Sequence, residues 1–329
     1  MQNLGLYGEL MDQNGREIWD ASKLQAYLDC EQLGHLKYEE HLTGKTPSEA
    51  IVFGSGMHKA VEVWTQHHIQ YQNPLFPRIT DEDAVKSAEA AFVEVWEAEL
   101  PKEQRDMLEL GLNRRSIANF RRLFGGYRKK FPLEMYDEIV SVEQSFTLPL
   151  GLTPEGREIW WSGVTDRILR WQSGLYYVDI KTSTYALDAA FFDKWKLSTQ
   201  MLGYMWAGQQ LIDEQFSGVM VQGVQVQAPL KTKVRAADEL VQGEVIAFSQ
   251  DQIEGWKRNV LAKIDDVHRA RQRGYWVKNL STRCSSYGSC SMAMLCGAGD
   301  AAQAEIRKQQ YYIERVWNPL QRGASATDG

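Results

Sequence analysis

The stretch Gly163-Val164-Thr165-Asp166-Arg167-Ile168-Leu169, then Gln172-Ser173-Gly174, then Leu175-Tyr176-Tyr177-Val178-Asp179-Ile180-Lys181, decides the fold. Both flanks are rich in β-branched and aromatic residues, and the short polar segment between them is a turn signal. The whole predicts a β-hairpin whose strand ends lie close together. Side chains alternate along a strand, which puts Asp179 and Lys181 on one face and Ile180 on the other. Across the pairing, Asp166 approaches that same face. Two carboxylates aimed at one spot repel unless a cation lies between them, and carboxylate, carbonyl and water ligands suit hard Mg2+ or Mn2+. Such an ion can bind a phosphate, deprotonate a water and neutralise charge that builds on phosphorus. An ammonium group beside it, at Lys181, can orient or deprotonate the water or stabilise the developing charge.

Outward from the hairpin, Ile139–Phe146 reads as the strand before it, with the strand of Asp166 starting near Ile159, and Gly218–Gln227 as a strand after it. Apolar residues at three-to-four spacing predict helices over Ser48–Gln70, Asp81–Leu100, Glu103–Lys130, Ala186–Leu211 and Gln250–Arg273. Ser22 is the expected cap of a short helix over Lys23–Leu28 that ends at Cys30. The part before residue 136 is therefore expected to be all helical, and Gly323–Gly329 a frayed tail. The expected fold class is mixed α/β, a central mixed sheet flanked by helices with a helical N-terminal region. Three segments are expected within one integrated domain: 1–135 helical, 136–275 the core, and 276–329 a cysteine segment folding back on the first.

With 329 residues, 43% hydrophobic and 24% charged, the chain has the composition of a folded protein with a sizeable core rather than a disordered or fibrous one. The polar, acidic start and the lack of a long apolar run argue against a signal peptide or a membrane span, so the expected location is the cytoplasm. Net charge is -6, so any contact with a polyanion must come from local basic strips. One candidate runs through Arg114, Arg115, Arg121, Arg122, Arg128, Lys129 and Lys130, read as a helix face.

Gly-Val-Thr-Asp-Arg-Ile, a hairpin, then Asp-Ile-Lys-Thr resembles the active-site hairpin of the PD-(D/E)XK nuclease superfamily. Gly54-Ser55-Gly56-Met57-His58 resembles the G-x-x-x-H element of its RecB-like branch, and Gln200-Met201-Leu202-Gly203-Tyr204 its Q-x-x-x-Y element. Glu143 stands where that branch is often acidic. The sequence departs in having Thr165 before the first acid, where proline is usual, and Asp rather than Glu as the second acid; both keep the ligand chemistry. The resemblance implies a restriction-endonuclease-like core and metal ligation by His58, Asp166, Asp179 and the main-chain carbonyl of Ile180. It also implies catalytic or substrate roles for Lys181, Gln200 and Tyr204. Arg114, Arg115, Arg121 and Arg122 are the DNA-binding candidates that the basic strip supplies.

Cys30 stands early, while Cys284, Cys290 and Cys296 cluster late with five residues between successive members. That arrangement resembles the iron-sulfur branch of RecB-like nucleases, the AddB-type and CRISPR-adaptation exonucleases, and implies a structural [4Fe-4S] cluster tying the two ends of the chain. From the residues alone, zinc or metal-free thiols stay open. Gly288 and Gly297 suit a chain wrapping a cluster or a plain loop. The resemblance implies a phosphodiester hydrolase, an exonuclease acting on single-stranded DNA or DNA ends in recombination, repair or phage replication. A helicase, recombinase or integrase partner is an open possibility, because no G-x-x-x-x-G-K-[ST] motor element is present. Alternatives are a nuclease trimming DNA for CRISPR-type integration and a catalytically inactive DNA-binding scaffold; RNA stays open as substrate. Trp160, Trp161, Trp195 and Trp206 are candidates for stacking on unpaired bases or for the core, and His67 and His68 read as ordinary surface residues.

Overall fold

The computed structural model describes residues 16–72, 80–110, 113–228, 235–280, 284 and 290–320. The tail expected at Gly323–Gly329, the start as far as residue 15, and Gly288 lie outside the described residues. In chain order the elements are β1 (Glu17–Trp19), α1 (Ala21–Asp29), α2 (Glu31–Tyr38), β2 (Leu42–Gly44), α3 (Glu49–Gln72), α4 (Asp81–Glu99), α5 (Lys102–Glu109) and α6 (Ile117–Lys130). Then come β3 (Glu138–Leu152), β4 (Glu158–Trp171), β5 (Gly174–Ser183), α7 (Ala189–Asp193), α8 (Thr199–Leu211), β6 (Phe216–Gln225), β7 (Val241–Ile246) and α9 (Gln250–Arg273). Last are α10 (Ala293–Cys296), α11 (Ala301–Tyr311) and β8 (Tyr312–Glu314).

The fold is mixed α/β, with a central sheet ordered β1-β4-β5-β6-β7 and β3 also paired to β4. β5–β6 and β1–β4 run parallel, whereas β4–β5 and β6–β7 run antiparallel. The hairpin closes through a two-residue loop, since Trp171 pairs with Gly174 and both Gln172 and Ser173 are left-handed, φ 49° and 64°. Two successive positive φ values describe a type I′ turn, whose twist matches a hairpin; Ser173 N–H donates to Asp137 Oδ2 at 3.1 Å and holds it.

Several helical expectations change. The helix expected over Glu103–Lys130 is two, because Asn113 Oδ1 accepts Arg115 N–H and Ser116 Oγ caps a new start by accepting Asn119 N–H. Asp20, not Ser22, caps α1, through Oδ1 accepting Lys23 N–H at 2.7 Å. The helix expected over Ala186–Leu211 is α7, a 3-10 turn at Lys194–Leu197 and α8. The first part is not all helical, since it holds β1 and β2.

The chain divides into two compact units, one of 47–144, 164–249 and 322–329, the other of 1–46, 145–163 and 250–321. In the first, Leu169, Val178, Ile180, Met220 and Val224 of the sheet form one core with α3, α4 and α6. On the opposite face Tyr177 stacks on Phe216 at 4.2 Å and on Tyr204 of α8 at 5.6 Å. Strand alternation produces this division, odd residues of β5 facing α8 and even ones the three long helices. Beneath the sheet the buried Arg167 donates through Nη2 to Gln222 Oε1 at 2.7 Å and also to Tyr127 Oη.

In the second unit β2 pairs antiparallel with β8, and Leu36, Leu42, Met292 and Tyr312 form a small core under them. Its centre is ionic. Arg271, 5% exposed, bonds Glu39 Oε1 at 2.8 Å and Glu17 Oε1 at 3.1 Å, and His268 Nε2 lies 2.8 Å from Glu17 Oε2. At the edge of this network His35 sits between Glu39 and Glu40, 3.3 and 3.1 Å away, and stacks on Trp276. Burial opposes its charge, but the hydrogen bonds to Glu39 and Glu40 outweigh that and raise its pKa to about 9. The stability that follows is fully present below the unfolded value of about 6.5 and lost as pH rises through about 9. Thermal melts between pH 6.5 and 9.5 should show a falling midpoint that His35→Gln flattens; an unchanged slope in that variant would disprove the assignment.

Candidate active site

The antiparallel ladder of β4 and β5 ends at Arg167 opposite Val178, one residue short of both acids. Beyond that point β5 pairs only with β6, through Asp179–Val221, Ile180–Gln222 and Lys181–Gly223. At the fork so formed Asp166 Oδ2 accepts the Ile180 N–H at 2.8 Å, so a side chain replaces the missing ladder carbonyl. The same oxygen lies 3.0 Å from His58 Nδ1. His58 arrives on α3, which carries glycine at two crowded positions, Gly54 against the sheet and Gly56 against α4. A Cβ on Gly54 would meet Thr182 Oγ1 of β5 at 3.2 Å, and one on Gly56 would meet the Phe92 ring at 2.7 Å.

Asp179 is fully buried, and its Oδ1 accepts Gln200 Nε2–H at 3.1 Å. Its Oδ2 lies 2.8 Å from Lys181 Nζ, yet is shielded from solvent without meeting hydrogen-bond geometry to any partner among the described residues. We read the contact as an ion pair at poor angle. Lys181 Nζ donates instead to Gln200 Oε1 at 2.7 Å, Gln200 Nε2 also donates to Tyr204 Oη at 2.7 Å, and Tyr204 Oη donates to the Val164 carbonyl at 2.9 Å. Burial pushes the Asp179 carboxyl above its ordinary range, Lys181 pulls it back, Asp166 raises it further and His58 lowers it. Three of these influences are charges on neighbouring groups, so His58, Asp166, Asp179 and Lys181 form one electrostatic cluster.

The family profile of the PD-(D/E)XK nuclease superfamily matches residues 19–297. The chain belongs to this superfamily. Membership makes it a nuclease, a hydrolase acting on DNA, of a kind that generally uses Mg2+ or Mn2+. Among solved structures it is similar to a presumed exonuclease from Eubacterium rectale, at 12% identity over 91% of this chain and 99% of that one, with a TM-score of 0.47. A second, the protein SSO0001, matches at 11% identity over 85% of this chain and 95% of that one, with a TM-score of 0.30. No curated protein matches. Among the described residues no helix is long and apolar enough to cross a membrane.

The PD-(D/E)XK nuclease has no group of three or more His, Cys, Asp or Glu side chains, among its described residues, arranged as a ready cage for a metal. The donor set nevertheless suits a hard cation: the buried Asp179 Oδ2 lacks a well-aligned donor, and the Asp166 charge raises the cost of ionising Asp179. His58 and Lys181 now stand against those charges. Glu143 lies at a left-handed position in β3, φ 50°, next to Gln144, whose carbonyl accepts Thr165 Oγ1–H at 3.3 Å.

The other expected groups lie apart from this cluster. Arg114 and Arg115 precede α6 rather than riding on it, Arg115 pairs with Glu49 at 3.1 Å and Arg121 with Glu89 at 2.8 Å. Arg122 spends its guanidinium on the carbonyls of Gln227 and Arg235, and Arg128 and Lys129 pair with Asp81 and Asp238. The structure therefore does not present these residues as one basic face. Trp161 and Trp206 are core, Trp160 lies under Arg16, and Trp195 is half-buried beside Lys181. His67 and His68 are half-buried rather than plain surface residues.

All four cysteines belong to the second unit. Asn279 N–H donates to Cys30 Sγ at 3.4 Å, and Cys284 Sγ–H donates to the Asn279 carbonyl at 3.3 Å. Burial raises the Cys296 thiol, Lys278 lowers it, and Cys290, Cys30 and Cys284 raise it further, so all three other sulfurs act on this one. Asn279 is the contact the sequence did not reveal; nothing in its neighbourhood distinguishes it from a loop residue.

One consequence of the Gln200 geometry is testable. Gln200→Ala removes the acceptor that orients Lys181 and a donor to Asp179, so kcat should fall by about 10- to 100-fold with KM for the oligonucleotide little changed. A parental kcat would show that the amide has no part in alignment.

Proposed function

We propose that this nuclease is a Mg2+- or Mn2+-dependent exonuclease acting on single-stranded DNA or DNA ends. The observation supporting the reading is that two groups meet at the strand fork: Asp166, whose Oδ2 lies 3.0 Å from His58 Nδ1 and accepts the Ile180 N–H, and Asp179, which Gln200 links through bonds of 2.7–3.1 Å to Lys181 and Tyr204. Asp166, Asp179, the Ile180 carbonyl and His58 would hold the ion, which when bound supplies Lewis acidity toward the scissile phosphate. Lys181 is the group that handles the nucleophile. An ammonium has three N–H donors; Gln200 takes one and Asp179 attracts a second, leaving a third to hold a water or a phosphoryl oxygen. The water oxygen bonds to phosphorus, its proton passes to a neighbouring base or solvent, and the ester bond to the leaving sugar oxygen breaks. Tyr204, anchored on the Val164 carbonyl, fixes the rotamer of Gln200. Arg114, exposed and without an acidic partner among the described residues, is the member of the arginine set we assign to backbone contact.

The preference for ends and for single strands rests on likeness to the RecB-like branch, as do a role in recombination, repair or phage replication and a helicase, recombinase or integrase partner. We further propose that Cys30, Cys284, Cys290 and Cys296 hold a [4Fe-4S] cluster. Three thiols near enough to Cys296 to act on it bring the number to the four a cubane takes, and the Asn279 N–H on Cys30 is a hydrogen bond to sulfur of the kind that tunes such centres. Because these residues join 1–46 to 250–321, the cluster would close a long loop and stabilise the second unit.

A time course on end-labelled linear and circular single-stranded DNA, with Mg2+, Mn2+ or a chelator, tests the reading. Metal-dependent shortening of linear DNA with circles left intact is expected; cleaved circles would replace the exonuclease by an endonuclease, and no cleavage would remove the activity. An anaerobic preparation should be brown, absorb broadly near ~400 nm and melt lower once iron is stripped. A colourless, iron-free protein as stable as the brown one would dismiss the cluster.

A further inference from the structure

The segment joining β5 to α8 sets two residues that the cleavage chemistry does not use, Lys194 and Trp195, beside Lys181. Its 3-10 turn places the half-buried Trp195 ring 4.9 Å from Lys181 Nζ and 4.7 Å from Lys194 Nζ, so one indole lies against two ammonium groups. Lys194 Nζ also lies 4.3 Å from the Phe191 ring. Lys194 is exposed and has no acidic partner among the described residues, whereas Lys196 two positions on is matched by Asp193 at 2.6 Å and Glu244 at 3.9 Å. Burial and the nearby Lys181 charge both lower the Lys194 pKa. Two like charges against one ring are a poor solution for folding alone, and a polyanion bridging them relieves the repulsion. The same segment exposes Tyr185 (65%) and Leu197 (84%), an aromatic and an apolar side chain in solvent close in sequence to the site.

We propose that Lys194 and Trp195 form a substrate subsite for one unpaired strand, Lys194 holding the phosphate next to the scissile one and Trp195 giving its neighbouring base a stacking surface. The occupant is a single-stranded polynucleotide because a base offers its face only when unstacked from a duplex neighbour, while a polyanion is what the Lys194 ammonium beside the cleavage residue Lys181 complements. The subsite rests on the nuclease reading and gives it a physical source of strand preference.

Binding of a fluorescent single-stranded oligothymidylate and of a blunt duplex, measured by anisotropy in chelator so that nothing is cut, tests it. Trp195→Ala should weaken the single strand by about 5- to 150-fold and the duplex far less, and Trp195→Phe should recover most of the loss. Lys194→Ala should flatten the dependence of log affinity on log salt by about 0.7 for the single strand, and Lys194→Arg should restore it. Being exposed, Lys194 can be replaced without disturbing the core, so its slope decides even if Trp195→Ala is poorly folded. Parental affinity and slope in Trp195→Ala and Lys194→Ala would overturn the subsite. Cleavage by the parent is followed in parallel: a parent that cuts while both variants bind normally sinks the subsite alone, and a parent that never cuts sinks the nuclease reading beneath it.

Discussion

Asp179→Ala should reduce phosphodiester cleavage by about a thousandfold or more, because on the proposed function one change removes a metal ligand and the charge that Lys181 faces. The chain should nonetheless stay folded. Asp179 is fully buried and its carboxyl is held above its ordinary range chiefly by burial, so ionising it without a bound cation opposes folding. In chelator the variant should melt no lower than the parent, and added Mg2+ or Mn2+ should raise the parent's midpoint more than the variant's. Lys181→Ala should match it in lost cleavage while keeping Asp179 able to bind the ion, so that its midpoint still responds to metal. Near-parental cleavage in both variants would discard the site.

Arg271→Ala should cost about 3–5 kcal/mol of stability, the usual result of stripping one partner from a buried ionic network. Arg271 is the shared cation of Glu17 and Glu39, and its loss leaves two largely buried carboxylates with fewer partners. Burial alone would raise the Glu17 pKa; the hydrogen bond with His268 and the charges of Arg271, His268 and Lys23 overcome that and lower it to about 2. The sign follows: this stability is present above about 4.5 and disappears as pH falls toward about 2. Chemical denaturation at pH 7 should show the loss, and acid unfolding of Arg271→Ala should begin at higher pH than in the parent. Pairing Arg271→Met with Glu17→Gln should recover part of the loss by removing charge from both sides. A single variant as stable as the parent would show that the network is dispensable.

The hairpin was legible because its chemistry is local. The alternation Tyr177-Val178-Asp179-Ile180-Lys181 fixes which side chains share a face, and the helical spacing of Gln200 and Tyr204 does the same. The helix over Gln250–Arg273 was legible for a similar reason, since a long amphipathic run leaves little choice. What sequence could not supply depends on partners distant along the chain. Three-residue strands such as β1 and β8 have no periodicity to detect; they exist because Ile159–Trp161 and Leu42–Gly44 receive them. The break between α5 and α6 was hidden by an apolar pattern that continues across it, while Asn113 and Ser116 spend their side chains on the local backbone instead. The arginines show the same limit from another side: spacing suggested one basic face, but Glu49, Glu89 and the Gln227 carbonyl claim them in different directions.

The bond from the Ile180 amide to Asp166 has a consequence for how the molecule could be watched. That carboxylate steadies a main-chain amide at the point where two strands part, so a cation held by the same oxygen, as proposed, would weaken its grip on the backbone. On that reading ion occupancy and local backbone order at the fork would be two readings of one equilibrium, and hydrogen exchange at a single peptide group, the Ile180 amide, would gauge whether the nuclease is loaded.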